Sequence, residues 1–162
     1  MSDLNFITKG SIFRMETKQN IPISIEEAWD FFSSPSNLKV ITPDYMGFEI
    51  LFGAEPKLFA GQIIEYKVTP LFNIKTSWVS EISHVSDKNY FIDEQRFGPY
   101  KLWHHKHFFK AIEGGVEITD IIDYKLPFGL LGRLVHPYIV KPKLEEIFNF
   151  RREKLTKLFG SF

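Results

Sequence analysis

Across residues 48–125, apolar and polar side chains alternate in short runs bounded by Gly, Pro, Asn and Asp. A period of two puts every second side chain on one face of an extended chain, so the pattern predicts antiparallel strands with one face buried. The runs fall at residues 48–52, 62–69, 75–85, 90–97, 102–111 and 116–125. The connections at 53–61, 70–73, 86–89, 98–99 and 113–115 are short and turn-like, so successive strands are expected to pair as a meander. An earlier run, residues 10–20, reads as the opening strand. After it, Ser24 with Glu27 three residues on has the form of a capping box, and Ile25, Ala28, Trp29 and Phe32 recur at helical spacing. Ser34-Pro35 ends that helix, and a second short one over residues 35–41 stops at Thr42-Pro43. Beyond Pro127 and Gly132 the alternation gives way. Val140, Leu144, Ile147, Phe148, Leu155, Leu158 and Phe159 follow a helical period, with Pro142 in the first turn. The predicted class is α+β: one curved antiparallel sheet, two short helices after the first strand, and a long C-terminal helix. A sheet bent around one helix encloses a volume between them.

Composition narrows what that volume can do. The 162 residues carry 20 Lys+Arg against 20 Asp+Glu, so no surplus of cations is offered to phosphates and nucleic acid is not an expected partner. Repeats, low-complexity tracts and linkers are lacking, and residues 1–162 are read as one domain. With no cysteine, thiol nucleophiles, thiolate metal sites and disulfides are excluded, which fits a reducing compartment; the cytoplasm is the expected location. Residues 1–9 do not read as a secretory signal. The apolar stretch at 130–140, broken by Gly132, Arg133, His136 and Pro137, is far short of the roughly 20 residues that cross a bilayer. Neither GxGxxG nor GxxxxGK[ST] occurs, so no nucleotide cofactor is expected, and GxSxG is missing too. Aromatic residues reach 16%, with 17 Phe, enough for a dense aromatic core or an aromatic-lined cavity.

Strand parity groups the candidate site residues. Trp103, His105, His107 and Phe109 share one face, as do Phe91, Asp93, Gln95 and Phe97 on the strand before, and Ile118, Asp120, Ile122 and Tyr124 on the strand after. If these faces are concave, Asp93, Gln95, His105, His107 and Asp120 form a polar cluster inside an aromatic cavity, joined by Tyr66 and Trp78. Three readings follow: a hydrogen-bonded network that fixes register, recognition of a ligand, or acid–base chemistry in which His105 or His107 moves a proton with Asp93 or Asp120. His105 and His107 also present two imidazoles to one side. Asp93 or Asp120 is the available third ligand, but neither stands at the spacing of a known metal motif, so no metal is expected. His84 and His104 read as surface or edge residues, and His136 as one that packs or caps beside Pro137. Arg151-Arg152 with Glu145-Glu146 and Glu153 reads as a solvated helix face with ion pairs, Arg151 reaching an anionic ligand being the alternative.

Several strings carry a family resemblance. They are Pro35-Ser36-Asn37-Leu38 with Ile41-Thr42-Pro43, Phe91-x-Asp93-x-Gln95 leading to Gly98-Pro99-Tyr100, and Trp103-x-His105-x-His107-x-Phe109. Asp120-x-x-x-Tyr124-x-x-Pro127-Phe128-Gly129 and Ile147-Phe148-x-x-Arg151 complete the set. Together they resemble the SRPBCC superfamily, START-like and birch-pollen-allergen-like, in its bacterial ligand-binding branch. The resemblance covers nearly the whole chain. It implies a helix-grip fold whose cavity takes a hydrophobic or amphipathic small molecule such as a lipid, a polyketide-like compound or an aromatic. The alternative it implies is a cyclase, dehydratase or hydrolase, polyketide cyclase/dehydrase-like, working in the same cavity. It also implies that loops 44–47 and 127–132 lie at the cavity mouth. A cavity filled by the protein's own Phe and Trp side chains is the third possibility. Oligomeric state is not legible.

Overall fold

The computed structural model describes residues 4–69 and 74–162; the expected turn at 70–73 lies outside the described residues. Among these residues eight strands, β1 (Asn5–Lys9), β2 (Ile12–Ile21), β3 (Glu49–Phe52), β4 (Gln62–Val68), β5 (Thr76–Ser86), β6 (Tyr90–Phe97), β7 (Leu102–Ile112) and β8 (Gly115–Lys125), form one antiparallel sheet. Its order is β1-β2-β8-β7-β6-β5-β4-β3. From β3 to β8 this is the expected meander. β2 then pairs with β8, Phe13 opposite Tyr124 and Ile21 opposite Val116. β3 lies at the far edge, so the chain leaving β2 must cross the sheet. It does so through α1 (Ile25–Phe32), α2 (Pro35–Leu38) and a tight turn at Asp44–Met46. Ser24 Oγ accepts from Glu27 N–H at 3.1 Å, the expected cap, and α1 buries Ala28 and Trp29.

The sheet is curved. Register irregularities on β5 opposite β6, at Val79/Ser80 and Ile82/His84, supply local bends of the kind that increase twist. Across the concave side runs the C-terminal helix, α4 (Lys141–Phe159). Its buried residues Leu144, Phe148, Arg151 and Leu155 are spaced four, three and four apart, which makes a single stripe.

The structure departs from the sequence reading in two elements. β1 was not expected: its side chains are exposed or half-buried, so this edge strand shows no clean alternation. Residues 127–132, expected to be a loop, instead open α3 (Gly129–Val135). Phe128 and Gly129 turn the chain with positive φ. A Cβ on Gly132 would stand 2.2 Å from the Pro127 carbonyl oxygen, so only glycine permits that approach. Because Leu130, Leu131 and Leu134 stay exposed, α3 has no buried stripe to give a periodic signal. Between α3 and α4 lies a wide turn, His136–Val140, in which Lys141 N–H bonds to His136 O across five residues. Pro137 and Pro142 lack the N–H groups that a regular ladder would use there.

Three apolar clusters fill the fold. One sits between α1, β7 and β8 around Trp29 and Phe109. A second lies between β2, β8 and the C-terminal helices around Met15 and Ile122. A smaller third surrounds Phe48, Val68 and Trp78. Among the described residues no helix is long and apolar enough to cross a membrane.

Candidate functional site

Where the three clusters fail to meet, they leave a cavity of about 180 Å³ under α4. Its wall is mostly apolar: Leu38, Ile41, Met46, Phe48, Ile64, Val68 and Trp78 on one side, Leu144, Ile147 and Phe148 from α4 on the other. A dry apolar cavity of about 150 Å³ holds benzene, so this volume suits one ring or a short chain.

Two polar groupings interrupt that wall. In the first, Ser80 Oγ accepts from Trp78 Nε1–H at 3.1 Å and shares a hydrogen bond with Tyr66 OH at 3.0 Å. Two hydroxyl protons serve one bond, so one O–H is left to donate to whatever enters. Burial pushes the Tyr66 phenol far above its ordinary pKa, so it stays protonated.

The second grouping is a buried charged cluster. β7 contributes His105 and His107 on one face, β6 contributes Asp93 opposite His105, and β8 contributes Asp120 opposite His107. His105 Nε2 lies 2.9 Å from Asp120 Oδ1, and His107 Nε2 lies 2.8 Å from Asp93 Oδ2. His107 Nδ1 is 2.8 Å from Asp120 Oδ1 but out of line for a hydrogen bond, and it is left without a partner. The ring centres of the two histidines are 3.7 Å apart, and Phe91 stacks on His107 at 4.1 Å. Over this group comes Arg151 from α4, its Nη1 3.8 Å from Asp120 Oδ1 and its guanidinium 4.7 Å from the centre of the Phe148 ring. Arg151 is 8% exposed, and its Nε has no partner.

The charges of this cluster sort themselves by neighbour. Burial pushes His105 down to about 4, helped by the adjacent His107 and only partly opposed by Asp120 and Asp93. Burial would lower His107 too, but its contacts with Asp120 and Asp93 win and raise it. Burial opposes ionisation of both carboxyls, yet the imidazoles hold Asp93 below its ordinary value and Asp120 well below. The cluster thus sets two carboxylates against an imidazole biased toward its charged form and the guanidinium of Arg151. A carboxylate only accepts, so the proton of neutral His105 sits on Nε2 toward Asp120 and leaves Nδ1 bare, 3.6 Å from Asp93 Oδ2.

Of the sequence candidates, Tyr66, Trp78, Asp93, Trp103, His105 and His107 stand on the cavity wall. Four do not. Asp120 lies behind the histidines, and Gln95 is spent on the Tyr100 backbone, donating to O at 2.6 Å and accepting from N–H at 3.2 Å. Phe109 packs edge-on to Trp29 in the α1 cluster. Tyr124, fully buried, bonds to His136 Nε2 at 2.6 Å, and that ring stacks on Phe13 at 3.7 Å. Loop 127–132 puts no side chain on the wall, whereas Met46 of loop 44–47 does. Arg151, expected on a solvated helix face, is instead buried. The sequence held the signal, because Arg151 falls on the stripe of Leu144, Phe148 and Leu155.

No protein-family model matches the chain, and no curated protein matches it. Solved structures do. Protein Ms6760 from Mycobacterium smegmatis is similar with a TM-score of 0.68 at 15% identity, covering 97% of this chain and 96% of that one. The major latex-like protein 151 of Panax ginseng gives 0.63 at 10% identity over 93% and 99% of the two chains. Ara h 8.0201 gives 0.60 at 15% identity over 90% and 99%. The likeness is one of fold, and the chain has the helix-grip α+β fold expected from its sequence.

Proposed function

We propose that this protein binds a small amphipathic molecule, an aromatic ring or short apolar body bearing an acidic or other acceptor group, in the cavity between sheet and α4. One observation carries the reading. On the wall of an apolar cavity sits a guanidinium, nine-tenths buried, whose Nε has no partner. A buried donor left unmade costs about 1–3 kcal/mol, and a ligand acceptor would recover that. The apolar wall would supply affinity at roughly 25 cal/mol per Å², and the spare O–H of the Tyr66–Ser80 pair gives a second anchor. The cavity as it stands suits a ring better than a lipid.

Native mass spectrometry of protein purified from its host without detergent, followed by denaturation, identifies any resident molecule. In parallel, one-ring aromatic carboxylates and their neutral esters are titrated against the fluorescence of Trp78 and Trp103, which line the cavity. Saturable binding with a Kd of roughly 1 μM to 1 mM, tighter for the acid than for the ester, is expected. Absence of both a resident molecule and any saturable probe would sink the reading. Acid–base catalysis on the bound molecule is the second reading, favoured by two imidazoles side by side, each on a carboxylate. Its mark is a chemically altered compound after incubation with the protein, lost in His105→Ala and His107→Ala.

A further inference from the structure

The geometry points to a divalent transition-metal site formed by Asp93, His105 and His107 at the polar end of the cavity. It deepens the binding reading and rests on it only for the cavity, which supplies open coordination positions. One ligand atom from each of the three side chains lies within 4.8 Å of the others. Asp93 Oδ2 stands 2.8 Å from His107 Nε2 and 3.6 Å from His105 Nδ1. Donors held at about 2.1 Å around an ion are spaced roughly 3 to 3.5 Å apart, a range that the 2.8 and 3.6 Å separations bracket.

The surroundings suit the same assignment. Asp120 Oδ1 lies 2.9 Å from His105 Nε2 and 2.8 Å from His107 Nδ1, the two nitrogens that would point away from the ion. Metal-bound imidazoles are held by an acceptor on the other ring nitrogen, and here one carboxylate serves both rings. The unpartnered His107 Nδ1 is the atom this arrangement satisfies once the ring turns toward a cation. Arg151, 3.8 Å from Asp120, balances that outer carboxylate and leaves the charge of Asp93 to the ion. An ion held here would replace the proton between His107 and Asp93, and that proton would leave to solvent. Two imidazoles and one carboxylate favour zinc, iron(II) or cobalt(II) over calcium or magnesium, which prefer oxygen ligands.

The test is a titration of chelator-treated, folded protein with Co²⁺, read by visible absorption, with Zn²⁺ as competitor. Expected are saturation at one ion per chain, displacement by Zn²⁺, loss of the signal in Asp93→Asn, and about 10- to 100-fold weakening in Asp120→Asn. Circular dichroism checks that each variant is folded, and the wild-type titration needs no variant. Lack of saturable wild-type binding below about 1 mM overturns the inference. So does binding that survives in Asp93→Asn/His107→Gln, because it would belong to His84 or His104 on the outside. If Co²⁺ fails while the aromatic acid binds, the metal site falls alone; if Co²⁺, every aromatic probe and the search for a resident molecule all fail, the cavity reading falls with it.

Discussion

Two buried histidine sites lie on the same sheet and teach opposite lessons. At the β2–β8 end, His136 Nε2 shares a hydrogen bond with Tyr124 OH at 2.6 Å, stacks on Phe13, and is held neutral: burial, aided by the nearby Lys141, pushes its pKa down to about 4. Among the described residues that site leaves no buried side-chain nitrogen or oxygen without a partner. At the middle of the sheet, His105 and His107 share two carboxylates and an arginine, and two buried nitrogens, His107 Nδ1 and Arg151 Nε, have no partner beside a cavity. Both sites are equally buried, so burial does not separate a structural histidine from a functional one. The count of unspent donors and acceptors does.

Asp120→Ala should have the largest effect on stability. It leaves His105, His107 and Arg151 without their shared carboxylate, and losing one partner of a buried charged group costs about 3–5 kcal/mol. Urea unfolding at pH 7 measures it, and a loss below that of Tyr124→Phe would show that the cluster is not the more interdependent site.

The His136 site should instead show itself through pH. In the unfolded chain this histidine titrates near 6.5, and in the folded chain at about 4. As pH falls through that window the unfolded state binds the extra proton, so stability drops by roughly 2–3 kcal/mol between pH 7 and pH 4. His136→Phe should make that part of the profile shallower without flattening it, because His105, also held at about 4, loses stability over the same window. An unchanged slope would assign the acid loss to other groups.

Arg151→Lys keeps the charge but removes the planar edge and the unpartnered Nε. Affinity for an aromatic carboxylate should fall about 3- to 10-fold, with affinity for the ester unchanged, in the fluorescence titration. Equal losses for acid and ester would mean that Arg151 acts through packing on Phe148 alone. Smallest of all, Lys88→Ala breaks an exposed pair with Glu26 and should leave the unfolding midpoint and both affinities where they were.

Strand patterning made seven of the eight strands readable, and capping chemistry at Ser24 and Glu27 made α1 readable, because both are local patterns. Elements without a buried face, β1 and α3, lacked such a pattern and were invisible. Parity put Asp93, His105, His107 and Asp120 on common faces, since a strand's side chains alternate whatever the sheet around them does. It did not distinguish Asp93 on the wall from Asp120 behind it, nor Tyr124 in the core from Tyr66 in the cavity. Those distinctions depend on where α4 crosses the sheet. The stripe of Leu144, Phe148, Arg151 and Leu155 was present in the sequence, but a charged residue on it looks like solvent-facing helix until a partner is seen.

What the sequence determined by itself is therefore the element order, the α+β class and the shared faces, all consequences of local period and turn chemistry. Tertiary structure alone decided the rest: the 180 Å³ void, the placing of Asp93 within reach of both histidines, and the burial of Arg151 above them. These depend on distances between residues far apart in the chain, which only the sheet's curvature and the packing of α4 can set.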